Sequence, residues 1–332
     1  MRGGVIPTTG IWRDTAWASE TRVMAYGSET VTLDRQNAGS NDVLEFNGAQ
    51  NELWHGFTVR NGNGRGIRVV NSAGTHLSRI AVHACLGDGI QHYNSSNCTV
   101  RDFHVYALGD GASQHTNVPD GIVATANSGQ QCDSVWYVRG VVRNAPDDAG
   151  DLFRAKNSGF LDVVVYRAGY YWNGNVAGDG NGLKLGGGVG ATSNVARGCL
   201  VLACRANGLD GNQITGDAPP MELAYCTVVD CGSLGIDANG DASNQANTVR
   251  DLVTRGNGSD GNQGAGSGTY AGAHVTIART SWSLALGNPL FVNPANFDYS
   301  LAAGSPAIGV GFGGTNLGAS VTALTLAAEA LG

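Results

Sequence analysis

Two short segments of this 332-residue chain hold residues whose types and spacing could do chemistry together. One is Asp147-Asp148-Ala149-Gly150-Asp151. The other is Asn181-Gly182-Leu183-Lys184-Leu185-Gly186-Gly187, which carries one of only two lysines in the protein, the other being Lys156. Asp120 lies upstream of both. Carboxylates crowded in this way repel one another unless a cation joins them. An all-oxygen donor set in a loose arrangement suits Ca²⁺ better than zinc or Mg²⁺. The seven histidines are scattered and offer no transition-metal alternative. A lysine set between glycines and beside such a cation is pressed to give up its proton, by desolvation and by like charge. A neutral amine of that kind can accept a proton from a carbon acid.

These groups meet only if the chain stacks them, and its repeat predicts that it does. A small residue followed by an apolar one recurs at Gly66-Ile67, Gly89-Ile90, Gly121-Ile122, Ala149-Gly150, Gly182-Leu183, Gly208-Leu209 and Gly235-Ile236. A period in the twenties with variable insertions marks a solenoid whose loops grow on one side. Between the steps lie β-branched and aromatic runs such as Phe57-Thr58-Val59-Arg60 and Val163-Val164-Val165-Tyr166, with strand length and strand period. Gly, Asn, Asp and Ser separate them, as turns of positive φ require. Helical periodicity is confined to the last dozen residues. Cys199 and Cys204 return 27 residues later as Cys226 and Cys231, which reads as stacked buried thiols. An odd total of seven cysteines argues against a disulfide framework. The expected fold is all-β: a right-handed parallel β-helix of roughly eight to ten coils. One domain spans 1–332, with an irregular N-terminal coil over 1–40 and a closing segment over 285–332.

In that fold the residue two past the start of each step faces outward with its neighbours. The column reads Arg68, Gln91, Val123, Asp151, Lys184, Asp210 and Asp237. The residue just before each step gives a second column: Arg65, Asp88, Asp120, Asp148, Asn181, Asn207 and Leu234. Adjacent coils lie about 4.8 Å apart. Asp120, Asp148, Asp151 and Lys184 therefore fall in one patch, with Asp147 at its edge. Solenoid turns also collect Asp and Asn for backbone reasons. That accounts well for Asp88, Asp210 and Asp237, and poorly for the cluster at 147–151.

Composition narrows the partners. Fifty-one glycines and 14% charged residues suit tight turns, and 42% evenly spread apolar residues exclude disorder. A net charge of −7 without a basic run argues against nucleic acid. No apolar stretch reaches membrane-spanning length. Met1-Arg2-Gly3-Gly4 does not open a signal peptide: either the protein works inside a cell or particle, or its leader has been removed, and the second, a secreted protein, is the expectation. A monomer is expected.

A carbon acid that fits a lysine base and a calcium ion is C5 of a uronic acid, whose deprotonation leads to β-elimination of the 4-linked glycoside. Here the residues resemble the family-nine polysaccharide lyases, pectate lyases with a right-handed parallel β-helix. Asp147-Asp148-Ala149-Gly150-Asp151 resembles that family's Asp-Asp-x-x-Asp calcium motif, and Asp120 its aspartate one coil earlier. Asn181 to Gly187 resembles its catalytic-lysine segment, and Arg205-Ala206-Asn207-Gly208-Leu209-Asp210 the coil after it. The resemblance covers roughly residues 45 to 260. It implies that Lys184 is the base, that Asp120, Asp147, Asp148 and Asp151 hold Ca²⁺, and that an acidic polysaccharide is the substrate. Asn181, Asn207, Asp210 and Trp172 are the expected substrate contacts. The chain departs from the family at Ala149-Gly150, where Gly-Phe is usual, and in the insertion from Gly169 to Gly180. A polygalacturonase-type hydrolase would need paired carboxylates and a Gly-His-Gly segment, and the latter is absent. A non-catalytic glycan-binding β-helix, such as an adhesin or tailspike, is the competing reading.

Overall fold

Ile67, Ile90, Ile122, Gly150, Leu183, Leu209 and Ile236 stand directly over one another in parallel register. The repeat of the sequence is thus the repeat of the coils. The structure is a computed structural model. It describes residues 4–7, 11–13, 21–27, 29–37, 42–112, 118–212, 221–237, 247–258, 275–278 and 288–320. Apart from two short 3₁₀ turns at Pro294–Asn296 and Phe312–Gly314, its regular elements are strands. One sheet has nine parallel strands, one per coil, and so fixes nine coils among the described residues. A second sheet runs the length of the same solenoid. Its long strands Gln50–Arg60, Ala73–His83, Ser96–Tyr106 and Cys132–Arg143 bend where Gly56, Arg79, Asp102 and Arg139 take positive φ, which splits the sheet into two walls. The chain is a parallel β-helix. Among the described residues no helix is long and apolar enough to cross a membrane.

The small residue of each step has a steric cause. A β-carbon on Gly208 would stand 2.2 Å from Val228 Cγ1 and 2.6 Å from the carbonyl oxygen of Gly235 in the next coil. Gly89 and Gly121 meet the same obstacle. Opposite this column, Val59, Val82, Val105, Val142, Val165, Val201 and Val228 form a fully buried stack. Each contributes at most about 1.5–3 kcal/mol by leaving water. Gly208→Ala should therefore lower stability by about 1–3 kcal/mol through overpacking. The measurement is a lower urea midpoint at unchanged slope. An unchanged midpoint would mean that the coils separate freely enough to admit a methyl group.

All seven cysteines are buried and free, with Cys199 beside Cys226 and Cys204 beside Cys231. Burial pushes the Cys85 and Cys98 thiols up to about 12, the mark of inert structural cysteines.

The N-terminal region differs from the irregular coil expected over 1–40. Gly4–Pro7, Ile11–Arg13, Thr21–Met24 and Val31–Asp34 are strands in parallel register with the coils that follow. Their rungs escaped the sequence ladder because Val43-Leu44 fills the step position without a small residue. The closing segment lies along the solenoid. Phe291–Asn293 pairs antiparallel with Asp298–Leu301. Phe291, Phe297 and Tyr299 cover the outward apolar patch of Val141, Val164, Leu200, Leu202 and Val229. The helical periodicity of the last dozen residues lies outside the described residues.

Candidate active site

The column before each step is a hydrogen-bonded ladder. Asp88 Oδ1 accepts from the Asp120 amide, Asp120 Oδ1 from Asp148, Asp148 Oδ1 from Asn181, Asn181 Oδ1 from Asn207, and Asn207 Oδ1 from Leu234, at 2.8–3.2 Å. Each side chain satisfies a backbone N–H of the next coil, the reason such turns collect Asp and Asn. One oxygen of Asp120 and of Asp148 is thus occupied, and the other is left for other work. Asp88 is different. Its second oxygen already accepts from Arg65 Nε at 3.2 Å and Gln91 Nε2 at 2.9 Å.

Around Asp120 and Asp148 the ladder becomes a cluster. Carboxylate oxygens of Asp120, Asp147 and Asp148 lie within 4.8 Å of one another. Asp151 stands outside that trio, in register with Lys184 one coil on. The Lys184 ammonium donates to Asp148 Oδ2 at 2.8 Å and lies 3.6 Å from Asp151 Oδ2 and 3.9 Å from Asp179 Oδ2. Its side chain is only 14% exposed. Asp151 Oδ1 is buried and has no hydrogen-bond partner.

Five carboxylates here face one ammonium. Burial, then the neighbouring Asp88, Asp148, Asp151 and Asp147, holds Asp120 well above the usual carboxylate range. Burial first and Asp148 next push Asp147 up to about 6. Burial pushes Asp151 up to about 8, although Lys184 pulls the other way. Lys184 corrects a sequence expectation. Burial alone would lower its proton affinity, but Asp151 and Asp148 outweigh burial and hold the ammonium above its ordinary range. The protein chain by itself keeps this lysine charged.

A carboxyl that binds protons more tightly folded than unfolded stabilises the fold only while protonated. In chelator, and above the ordinary histidine value of 6.5, where the buried His92 and His104 bind no proton in either state, stability should therefore fall as pH rises through about 8, as Asp151 ionises after Asp147. Lys184 stays charged throughout that window and contributes a constant amount. Thermal melts across this range provide the test. A flat profile would mean that the carboxyls are not left uncompensated.

The expected substrate contacts fall into two groups. Asn181 is buried, and both its backbone amide and its side-chain amide donate to Asp148 Oδ1, so it orients that carboxylate. Asn207 and Asp210 bond to each other at 3.3 Å, and Asp210 Oδ1 accepts from the Asn212 amide. All three are engaged by the protein itself. Trp172 is 59% exposed on the insertion at Gly169 to Gly180.

That insertion is a fixed wall. Tyr171 is fully buried against Gly109, and the side chains of Asn173 and Asn175 donate to the Gly111 carbonyl at 2.9 and 2.8 Å. At its base the Asp179 amide donates to Asp147 Oδ1, and Arg205 Nη2 donates to the carbonyls of Gly178 and Asp179. Sequence reasoning missed Asp179 and Arg205. The signal was present in Gly178 and Gly180, whose positive φ sets Asp179 between two turn positions. A separate groove of about 1110 Å³ lies at the bend of the long sheet, lined by Arg79, Asp102, Arg139 and Asp162, and contains none of these residues.

Among solved structures the chain is similar to pectate lyase Pel9A, with 18% identity and a TM-score of 0.73 over 96% of this chain and 86% of that one. It is similar to a rhamnogalacturonan lyase, with 15% identity and a TM-score of 0.63 over 88% and 81%. It is also similar to PfbA, a surface adhesin of Streptococcus pneumoniae, with 9% identity and a TM-score of 0.53 over 84% and 80%. No protein-family model matches the chain, and no curated protein matches it. At these identities the likeness is one of fold: the chain has the β-helix of polysaccharide lyases, a fold also used by an adhesin.

Proposed function

We propose that the protein is a calcium-dependent polysaccharide lyase of the family-nine type, cleaving 4-linked uronic-acid polymers such as pectate by β-elimination. One observation carries this reading: Lys184, one of two lysines in the chain, is held 2.8 Å from Asp148 and in register with Asp151, at the edge of a carboxylate trio. The likeness of fold to two polysaccharide lyases supports it.

Asp120, Asp147, Asp148 and Asp151 suit a hard divalent cation. Their donors are all oxygen, three carboxylates converge, and the buried Asp151 Oδ1 has no other partner. Calcium held there would acidify the α-proton of a uronate and relieve the carboxylate field on Lys184. Lys184 then removes the C5 proton. The electron pair forms the C4–C5 double bond as the C4–O bond breaks, and the departing oxygen takes a proton from solvent. Asn181 keeps Asp148 in place during this exchange. Trp172 offers an exposed face on which a sugar ring can stack. A polymeric substrate of this kind places the protein outside the cell.

The likeness to an adhesin favours a second reading, a β-helix that binds glycans without cleaving them. Incubation with polygalacturonate and calcium separates the two. A lyase generates the ultraviolet absorbance of an unsaturated uronate and stops when chelator is added. A binding protein retains the polymer and produces no absorbance.

A further inference from the structure

We infer that Arg154, stacked on Phe153, is a carboxylate-reading subsite that selects uronate at the sugar next to the reacting one; the inference rests on the lyase reading above.

After Lys184 and the buried Leu185, the chain runs Gly186-Gly187-Gly188, a strip without side chains. Phe153 and Arg154 fill the space that side chains would need there. A β-carbon on Gly187 would lie 2.8 Å from Phe153 Cδ2, and one on Gly188 would lie 2.6 Å from Arg154 Cγ. The Arg154 amide donates to the Gly187 carbonyl at 2.8 Å, which ties the two coils together at this point. The guanidinium sits 5.0 Å from the centroid of the Phe153 ring, and its Nη1 donates to the Ala126 carbonyl at 3.2 Å. Both side chains are half-buried.

Its surroundings set Arg154 apart from the cations of the two outward columns. Arg65, Arg68 and Lys184 each have a carboxylate within 4.0 Å. Among the described residues Arg154 has none. Its side chain is held by a ring and a carbonyl, so its remaining N–H groups stay available as a planar fork for an incoming carboxylate. It follows Asp151 by three residues, and its amide bonds to Gly187, three residues past Lys184, so it flanks the Asp151–Lys184 pair along the same two coils. The floor beside it is dominated by aspartates that repel a polyanion. One unpaired guanidinium at the rim therefore decides whether a charged sugar or a neutral one is preferred there.

The test uses the Lys184→Ala protein, in which turnover is blocked, and calorimetric binding with calcium present. The ligands are an oligogalacturonate and its methyl-esterified counterpart. Adding Arg154→Gln should weaken binding of the unesterified oligomer by about 10–100-fold, the loss of one charge-assisted hydrogen-bonded pair. Binding of the ester should change by no more than about twofold, since it presents no charge to read. Arg154→Lys should recover part of the loss. Equal weakening of both ligands, or of neither, would overturn the subsite while leaving the lyase reading intact. If the Lys184→Ala protein with Arg154 in place binds neither oligomer, and the unaltered protein cleaves no uronate polymer, the lyase reading falls and the subsite falls with it.

Discussion

Lys184→Ala should cut turnover on a polyuronate by about 10²–10⁴-fold, the usual contribution of a positioned general base. Lys184→Arg should fail nearly as badly, because a guanidinium stays protonated. The structure adds a second consequence. Lys184 is largely buried and offsets Asp148 and Asp151, both of which are buried too. Removing it leaves those carboxylates without their ammonium, so the variant should melt earlier than the parent in chelator and recover most of the difference in calcium. Initial rates and melting curves measured with and without calcium separate the two effects. Retention of more than about a tenth of the parent rate in saturating calcium would reduce Lys184 to a charge that positions substrate.

Replacing Asp148 and Asp151 together with alanine should abolish calcium binding measurable by calorimetry. Single substitutions at Asp148 divide its two duties. Asp148→Asn retains an oxygen for the Asn181 amide, so the ladder survives while the cation and the charge partner of Lys184 are lost. Asp148→Ala also leaves that buried amide unsatisfied and should cost about 1–3 kcal/mol of stability besides. Asp88→Asn is the control, since Arg65 and Gln91 already engage its carboxylate; calcium affinity should persist. Undiminished binding in the double variant would remove the cation site, and with it the account of how Lys184 loses its proton.

The sequence by itself determined the register. Gly or Ala before an apolar residue recurs because the next coil's carbonyl leaves no room for a larger side chain, and this steric rule is written residue by residue. It put Asp151 and Lys184 opposite each other and stacked Cys199 on Cys226. It failed where the rule is broken, at Val43-Leu44, and the early coils were lost with it. Tertiary structure decided what the stacked groups do to one another. The Asp and Asn of the column are both backbone caps and site residues, and only the positions of Arg65 and Gln91 show that the second oxygen of Asp88 is taken, on top of the cap that Asp88 and Asp120 share. The sequence placed Lys184 on an outward face, set between glycines where desolvation and a neighbouring cation would press it to give up its proton. The structure buries it among carboxylates that raise its proton affinity. The insertion at Gly169 to Gly180 reaches Gly109 and Gly111, more than fifty residues away in sequence. Periodicity encodes which face a side chain takes. Depth, charge balance and the reach of a loop arise between distant coils, and the repeat does not encode them.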